Sequence, residues 1–440
     1  MTRFRWVVLS IIFIICTINF ADRTNIGIAL PFIREEFHIS NFEAGAIASL
    51  FFLGYACSQI PAGFWFSKHG IRGLVPLAVM GFSAFTFLIG TAQSVAVIKF
   101  MRLGLGISEG PIPVGLTSTV NNWFPPREKA TGVGVYIGAT MFAPIVVPPL
   151  CVWLAMTFGW RYMFYTFAIP GFVMALVWWL FVRTHPQESS YVNAAEVAYI
   201  KDGGDDPSQK KAEQEYVSYG WLDRLIRVKD AVKITAKSEV FKSRNIWGDC
   251  IAYFMMLSVL YGLMTWIPSY LINEKHYSSV TMGYVATAPW IGGMFGSILG
   301  GWISDKLLQK RRKPTMLFTA MTTCVMMAVM VNIPENTAML AIGLFMTGFM
   351  LNIGWPAFTA YPMGVTDEKT YPVAIALVNS GGNLGGFFSP MIAGYLLDNF
   401  HSYNYVFTYF GLCAVIALII LLTLDEPMKL KITAKNEQVA

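Results

Sequence analysis

Asp22 and Arg23 stand side by side in "TINFADRTNIGIALPF" (17–32), within an apolar run that begins at Trp6. A charge at the centre of a bilayer costs about 2.5–3.5 kcal/mol on insertion scales, so a membrane segment keeps one there for a use. A second pair, Arg102 and Glu109, lies seven residues apart in the run near 95–119. On a helix that spacing puts both on one face, about 10 Å apart along the axis. Such a separation is too long for a direct ion pair but suits two stations along one cavity wall. The four charges sum to zero when all are ionised. Burial favours the proton-bound form of a carboxyl group, and a neighbouring guanidinium favours the ionised form. Acids held between these two effects can gain and lose a proton. Protonating them would leave guanidinium charge unpaired, and the planar arginine fork can bond both oxygens of a carboxylate. Neighbouring helical residues point about 100° apart, so one of Asp22 and Arg23 can face across the molecule while the other faces its own side.

Polar residues that could line a cavity recur at helical spacing. Tyr55 and Gln59 share a face in one run, Tyr136 and Thr140 in another, and Trp266 and Tyr270 in a third, beside Pro268. Trp355 interrupts a run in "NIGWP", and Asn379, Ser380 and Asn383 crowd "NSGGN". Hydroxyls and amides can bond a hydroxylated ligand, and an indole can cover a C–H face. The same residue types also serve as interfacial anchors and helix–helix contacts. Gly104, Gly106, Gly110, Pro111 and Pro113 are expected to loosen the helix around Glu109.

The elements that must position these groups follow from composition. The chain of 440 residues is 55% hydrophobic and only 13% charged, with mean hydropathy +0.52. A soluble domain carries about 25% charged residues. Twelve apolar runs, near 6–31, 42–65, 73–92, 95–119, 130–157, 162–183, 247–271, 281–304, 314–333, 337–360, 371–397 and 403–424, are each long enough to cross a hydrocarbon core of about 30 Å. Helices are expected, because barrel strands would be shorter and would alternate in polarity. The first run is too long for a signal peptide and lacks a small-residue cleavage site, so it reads as an uncleaved span.

With the N-terminus inside, 26 of the 32 Lys and Arg residues fall on the cytoplasmic side and three in outer loops. That bias sets the expected orientation, with both termini cytoplasmic. The net charge of +6 thereby reflects topology and does not imply nucleic-acid binding. The expected organisation is a six-helix half (1–183), a polar cytoplasmic linker (184–245), a second six-helix half (246–424) and a cytoplasmic tail (425–440). A short amphipathic helix is expected near "GWLDRLIRVKDAVKI" in the linker.

The two halves echo one another. "GFWFSKHGIRG" (63–73) follows the second run and "GGWISDKLLQKRRK" (300–313) follows the eighth. The element Gly301, Asp305, Lys306 resembles the loop signature of the major facilitator superfamily; the first copy departs from it, with Ser67 where the family has Asp. "YACSQIPAGFWF", "MRLGLGISEGPIPV", "NNWFPPREKATGVGVY", "GWRYMFYTF", "LMTWIPSYLINEKH" and "NIGWPAFTAYP", with the opening stretch, resemble its anion:cation symporters. Bacterial galactonate, glucarate and hexuronate carriers are the nearest in pattern.

The resemblance implies a proton-coupled symporter importing a sugar acid by alternating access. It implies proton coupling at Asp22 and Glu109, substrate contact at Arg23 and Arg102 with Arg23 the direct ligand, and gating by the Gly301–Lys306 loop. Tyr55, Gln59, Tyr136, Thr140, Trp266, Tyr270, Trp355, Asn379 and Ser380 complete the expected lining. Thr140 stands where those carriers place a Gln, and the shorter side chain reshapes the pocket. A carrier of another organic anion, sodium-coupled or exchanging, is the alternative.

Other chemistry finds no support in the sequence. There is no Gly-x4-Gly-Lys-Ser/Thr phosphate loop, the five histidines are scattered, and the six cysteines show no paired or metal-type spacing. No enzyme activity, cofactor or metal is expected. The expected partners are a small organic anion, protons and the lipid of a cell membrane, a bacterial inner membrane by resemblance, with a monomer as the working unit.

Overall fold

The computed structural model describes residues 2–202, 219–230, 233–334, 336–367 and 369–428. Helix occurs over each of the twelve expected runs. The first half consists of α1 (Phe4–Phe37), α2 (Asn41–His69), α3 (Ile71–Thr91), α4 (Val95–Glu109) with α5 (Ile112–Trp123), α6 (Pro126–Phe158) and α7 (Trp160–Phe181). After the short linker helices α8 (Ala194–Asp202), α9 (Trp221–Leu225) and α10 (Lys237–Val240), the second half begins with α11 (Arg244–Asn273). It continues with α12 (Ser279–Val285) and α13 (Ala288–Trp302), α14 (Lys313–Val331), α15 (Thr337–Ile353) and α16 (Trp355–Val365), α17 (Tyr371–Phe400) and α18 (Tyr403–Thr423).

Among the described residues, eight helical stretches are long and apolar enough to cross a membrane by length and composition alone. Three of the other four expected spans have visible reasons for falling short. The fourth is divided at Gly110–Pro111, as its glycines and prolines suggest, and the eighth is divided just ahead of Pro289. The eleventh, α17, carries Asn379, Ser380 and Asn383 among glycines, which lower its mean apolarity. The tenth run divides at Gly354, so Trp355 opens α16 and is not itself the break.

Helix pairing repeats between the halves. The α1–α6, α2–α4 and α3–α7 pairs of the first correspond to α11–α17, α13–α15 and α14–α18 of the second. Small residues permit these approaches. A Cβ at Gly292, Gly296 or Gly300 of α13 would collide with the carbonyls of Phe345, Phe349 and Ile353 on α15.

The halves meet through α2–α17, α1–α11 and α6 against α12 and α13. These contacts gather at the end bearing the α1–α2 turn. There Asp398 of α17 accepts hydrogen bonds from the backbone N–H and side-chain amide of Asn41 and from the Phe42 N–H, each at 2.8 Å. Gly394 lies against the Asn41 carbonyl and Gly45 against that of Pro390.

The linker differs from the sequence expectation. The helix in "GWLDRLIRVKDAVKI" lasts only from Trp221 to Leu225, because Arg227 takes a left-handed conformation (φ 57°) and ends the helical run. The chain then forms β1 (Val228–Asp230), paired in parallel with β2 (Glu426–Met428), and Ile234 bridges Thr366. Buried arginines anchor both described parts of the linker. Arg5 of α1 binds Glu196 (3.1 Å) and Glu128 (2.8 Å), and Arg311 binds Asp223 (2.8 Å). Most of "KDGGDDPSQKKAEQE" and the tail from 429 lie outside the described residues.

Candidate substrate and proton site

α1 carries Asp22 and Arg23 near its middle and exposes essentially nothing of either. Arg23 Nε donates to Glu109 Oε2 at 3.1 Å, and Nη2 donates to Asn19 Oδ1, one turn earlier, at 3.2 Å. Its guanidinium lies 4.3 Å from the Tyr55 ring centre, 4.5 Å from Phe20 and 5.3 Å from Phe51. Aromatic faces stabilise a cation through their quadrupoles where water is excluded. Glu109 is the last residue of α4, placed there because Pro111 cannot continue the helix with a backbone N–H. Its second oxygen, Oε1, has no hydrogen-bond partner among the described residues.

Asp22 turns the other way. It accepts one bond from Asn25 Nδ2 at 3.3 Å, and its Oδ2 has no hydrogen-bond partner among the described residues. Arg102 approaches α1 without pairing with that carboxyl: Nη1 donates to the Asp22 backbone carbonyl and Nε to the Ile47 carbonyl, both at 3.3 Å. Its guanidinium lies 4.9 Å from the Phe51 ring, so Phe51 is flanked by both arginines. With only 1% of its surface exposed, Arg102 stays in the interior of the half instead of reaching for headgroups.

Further side chains surround Arg23 from both halves. Tyr55 is buried beside it, and Tyr136 of α6 and Tyr261 of α11 lie within its electrostatic reach. Tyr261 donates to Asn383 Oδ1 at 3.5 Å, and the Asn383 amide donates to the Asn379 carbonyl at 2.8 Å. Nearby, Tyr253 lies 5.2 Å from Trp355, and Ser380 has a buried hydroxyl without a partner. Gln59 is half-buried. Thr140 spends its hydroxyl on its own helix, donating to Ile137 O at 2.7 Å. Buried polar groups normally find partners, so the open bonding capacity on Asn19, Asp22, Asn25 and Glu109 marks where this interior can accept a proton or a polar ligand.

Two expected lining residues lie elsewhere. Trp266 is buried with its Nε1 donating to Pro390 O at 3.1 Å, tying α11 to α17. Tyr270 packs edge-on against Tyr403 (5.3 Å) and Phe407 (5.1 Å) of α18. Five and nine residues beyond Tyr261 on α11, both belong to the interior of the second half and not to the charged cluster. In the π-helical turn that continues α13 (Ile303–Leu307), Asp305 pairs with Arg312 at 2.6 Å and Lys306 is exposed, while Gly301, still within α13, approaches Pro356. The Ser67 side chain lies outside the described residues. Asn19 and Tyr261 join the site beyond the residues expected from the sequence. Asn19 was detectable as the residue one turn before Arg23, whereas Tyr261 carries no signal that separates it from a packing aromatic.

The repeated helix pairing, the buried charges at mid-depth and the polar walls contributed by both halves define a multi-pass membrane transporter, not an enzyme. The family model of the Major Facilitator Superfamily matches residues 12–340 and 308–439, and the chain belongs to that superfamily. Among curated relatives, it is 28% identical to the probable galactarate/D-glucarate transporter GudP of Bacillus subtilis, covering 99% of this chain and 95% of that one. It is also 28% identical to the D-galactonate transporter of Escherichia coli O6:H1 (90% of each chain), and 25% identical to the hexuronate transporter of Bacillus subtilis (96% and 94%). Among solved structures, a bacterial homologue of the lysosomal transporter Spinster, inward-facing and occupied, superposes with TM-score 0.75 at 16% identity over 96% of each chain. That likeness concerns the fold alone.

Proposed function

We propose that the chain is a proton-coupled symporter that imports an organic anion, a sugar acid of the galactonate, glucarate or hexuronate type, by alternating access. The observation that carries this reading is the buried Arg23–Glu109 pair, with one Glu109 oxygen open and tyrosines around the guanidinium. Protonating Glu109 removes the charge that holds Arg23, and the freed fork can take a substrate carboxylate. Asp22 supplies the second proton-accepting carboxyl. Arg102 supports α1 through the Asp22 carbonyl and adds positive potential behind it. Tyr55, Gln59, Tyr136 and Thr140 from one half, with Trp355, Asn379 and Ser380 from the other, contact the hydroxylated body of the anion. Three relatives named for sugar-acid transport support the cargo class.

With both termini cytoplasmic, the latched end at Asp398 is the outer one and this conformation opens inward. The halves 1–183 and 246–424 then rock about the site, and the Gly301–Lys306 loop gates the cytoplasmic end. The working unit is a monomer in a bacterial inner membrane.

The test is uptake into proteoliposomes under an imposed proton gradient. Galactonate, glucarate or a hexuronate should accumulate above the neutral parent sugars; equal uptake of the neutral sugars would defeat the anion argument.

A further inference from the structure

A third buried carboxyl lies outside the cluster around Arg23. Asp249 of α11 is fully buried, and neither of its oxygens has a hydrogen-bond partner among the described residues. Among the described residues no cation and no hydrogen-bond donor acts on it, so burial sets its environment. The titratable groups near it are Cys250 and Tyr253 of its own helix and Tyr361 of α16. None of these is committed to it as a donor. The Cys250 thiol donates to the Leu377 carbonyl of α17 at 3.6 Å, Tyr253 lies among the rings of Trp355 and Phe358, and the Tyr361 hydroxyl donates to the Asp425 carbonyl. Beyond α18, Asp425 pairs with Arg227 and Lys229, and Glu426 accepts the N–H groups of Arg312 and Lys313. No charge from these elements compensates Asp249, and a carboxylate buried without a partner pays its full desolvation cost.

We infer that Asp249 is a proton-binding site of the second half, loaded while this end of α11 is dry and unloaded when water reaches it. Only five residues separate it from Arg244 at the start of α11, about 8 Å of helix rise. The distance to the aqueous end is therefore short, and a modest movement of α11 against α16 and α17 would admit water. Protonated, the group offers a hydroxyl that a helix can absorb by bonding the carbonyl one turn back. The same helix does this with Ser258 to Phe254 O and Thr265 to Tyr261 O, both at 2.8 Å. The site adds a proton carrier to the proposed coupled cycle, yet it does not share a residue with the Asp22–Glu109 machinery.

Infrared difference spectra of the purified full-length protein in lipid, taken between acid and alkaline pH, read this proton directly. The wild type should lose a protonated-carboxyl C=O band as pH rises, with one component missing in D249N and kept in E109Q. A carboxamide reproduces the size and neutrality of a protonated carboxyl, so D249N should also purify with wild-type yield and unchanged or higher Tm. Superimposable carboxyl bands in D249N and wild type overturn the assignment, as does a D249N protein that fails to fold. Wild-type uptake that ignores the pH gradient would sink the coupling reading and leave this band assignment intact.

Discussion

Replacing Glu109 with Gln isolates the ion pair on which the proposed cycle turns. In the wild type, Arg23 and Glu109 are 3.1 Å apart, with 3% and 0% of their side chains exposed. At an effective dielectric of about 20, charges at that distance attract by about 5 kcal/mol. A Gln at this position still offers an oxygen to the charged Arg23 Nε, worth about 1.5–2 kcal/mol. The faces of Tyr55, Phe20 and Phe51 remain around the cation in either case. The net loss is about 3–4 kcal/mol, which an entering anion no longer has to overcome. Since about 1.4 kcal/mol is tenfold in affinity, proton-loaded wild type should bind a sugar acid two to three orders of magnitude more tightly than proton-free wild type. E109Q should bind with the tighter affinity at every pH and fail to accumulate substrate against a gradient. Thermal-shift titrations of purified protein with galactonate, glucarate and a hexuronate at acid and alkaline pH measure the affinities, and proteoliposome uptake measures accumulation. If E109Q keeps the wild-type pH dependence of binding, or still accumulates substrate in step with the pH gradient, Glu109 is not the coupling group.

Two further outcomes follow from groups away from the cluster. Asp398→Ala removes three 2.8 Å hydrogen bonds joining the halves at the latched end. With partly exposed donors the loss is about 1–3 kcal/mol, enough to shift an open–closed equilibrium roughly 5- to 150-fold. Electron-spin distance measurements between labels at Ile39 and Ser402 should gain a longer population, and an unchanged distribution would remove Asp398 from the closure. Burial of the Glu426 carboxyl, outside the spans, pushes it up to about 7 despite the N–H groups it accepts. The folded state therefore holds this proton at pH values where the unfolded chain has released it. Its stabilising contribution is complete below the ordinary carboxylate range near 4.5 and is lost as pH rises to about 7, a difference on the order of 3 kcal/mol. Calorimetric Tm measured from pH 4.5 to 8 should fall more steeply in wild type than in E426Q; parallel curves would show that Glu426 stays ionised.

What could be read from the sequence divides along physical lines. Charges in apolar runs are conspicuous because they are expensive, and Asp22, Arg23, Arg102 and Glu109 were all identifiable on that ground. Apolar run length likewise announced each helix, because a membrane helix must satisfy its backbone internally whatever its neighbours do. Side-chain partners were a different matter. Trp266 and Tyr270 have the spacing and chemistry of a cavity wall, yet they serve packing between α11, α17 and α18. Tyr261, with identical credentials, lies beside Arg23. Nothing in residue type distinguishes these cases, because the rotation of a helix about its axis is set by long-range contacts such as Gly386 against Phe52 and Tyr261. The linker departed for a similar reason. β1 exists only because β2, almost two hundred residues later, lies alongside it.

The orientation of the two adjacent charges on α1 shapes the order of events in the proposed cycle. Arg23 faces the boundary between halves, where Phe52 packs on Tyr261 and the Tyr55 ring covers the guanidinium, and Glu109 reaches it from α4. Asp22 faces the interior of its own half, bonded to Asn25 and backed by Arg102 through a backbone carbonyl. An entering anion can therefore compete with Glu109 for Arg23 directly, but it cannot touch Asp22 from the same position. In the proposed cycle Asp22 acts on the substrate indirectly, through its charge, which lies within electrostatic reach of Glu109 and Arg102, and through α1, which Arg102 holds at the Asp22 carbonyl. In that proposed cycle the two acids have distinct tasks: Glu109 decides whether Arg23 is available, and Asp22 acts on the helix that carries Arg23 and on the charge around it.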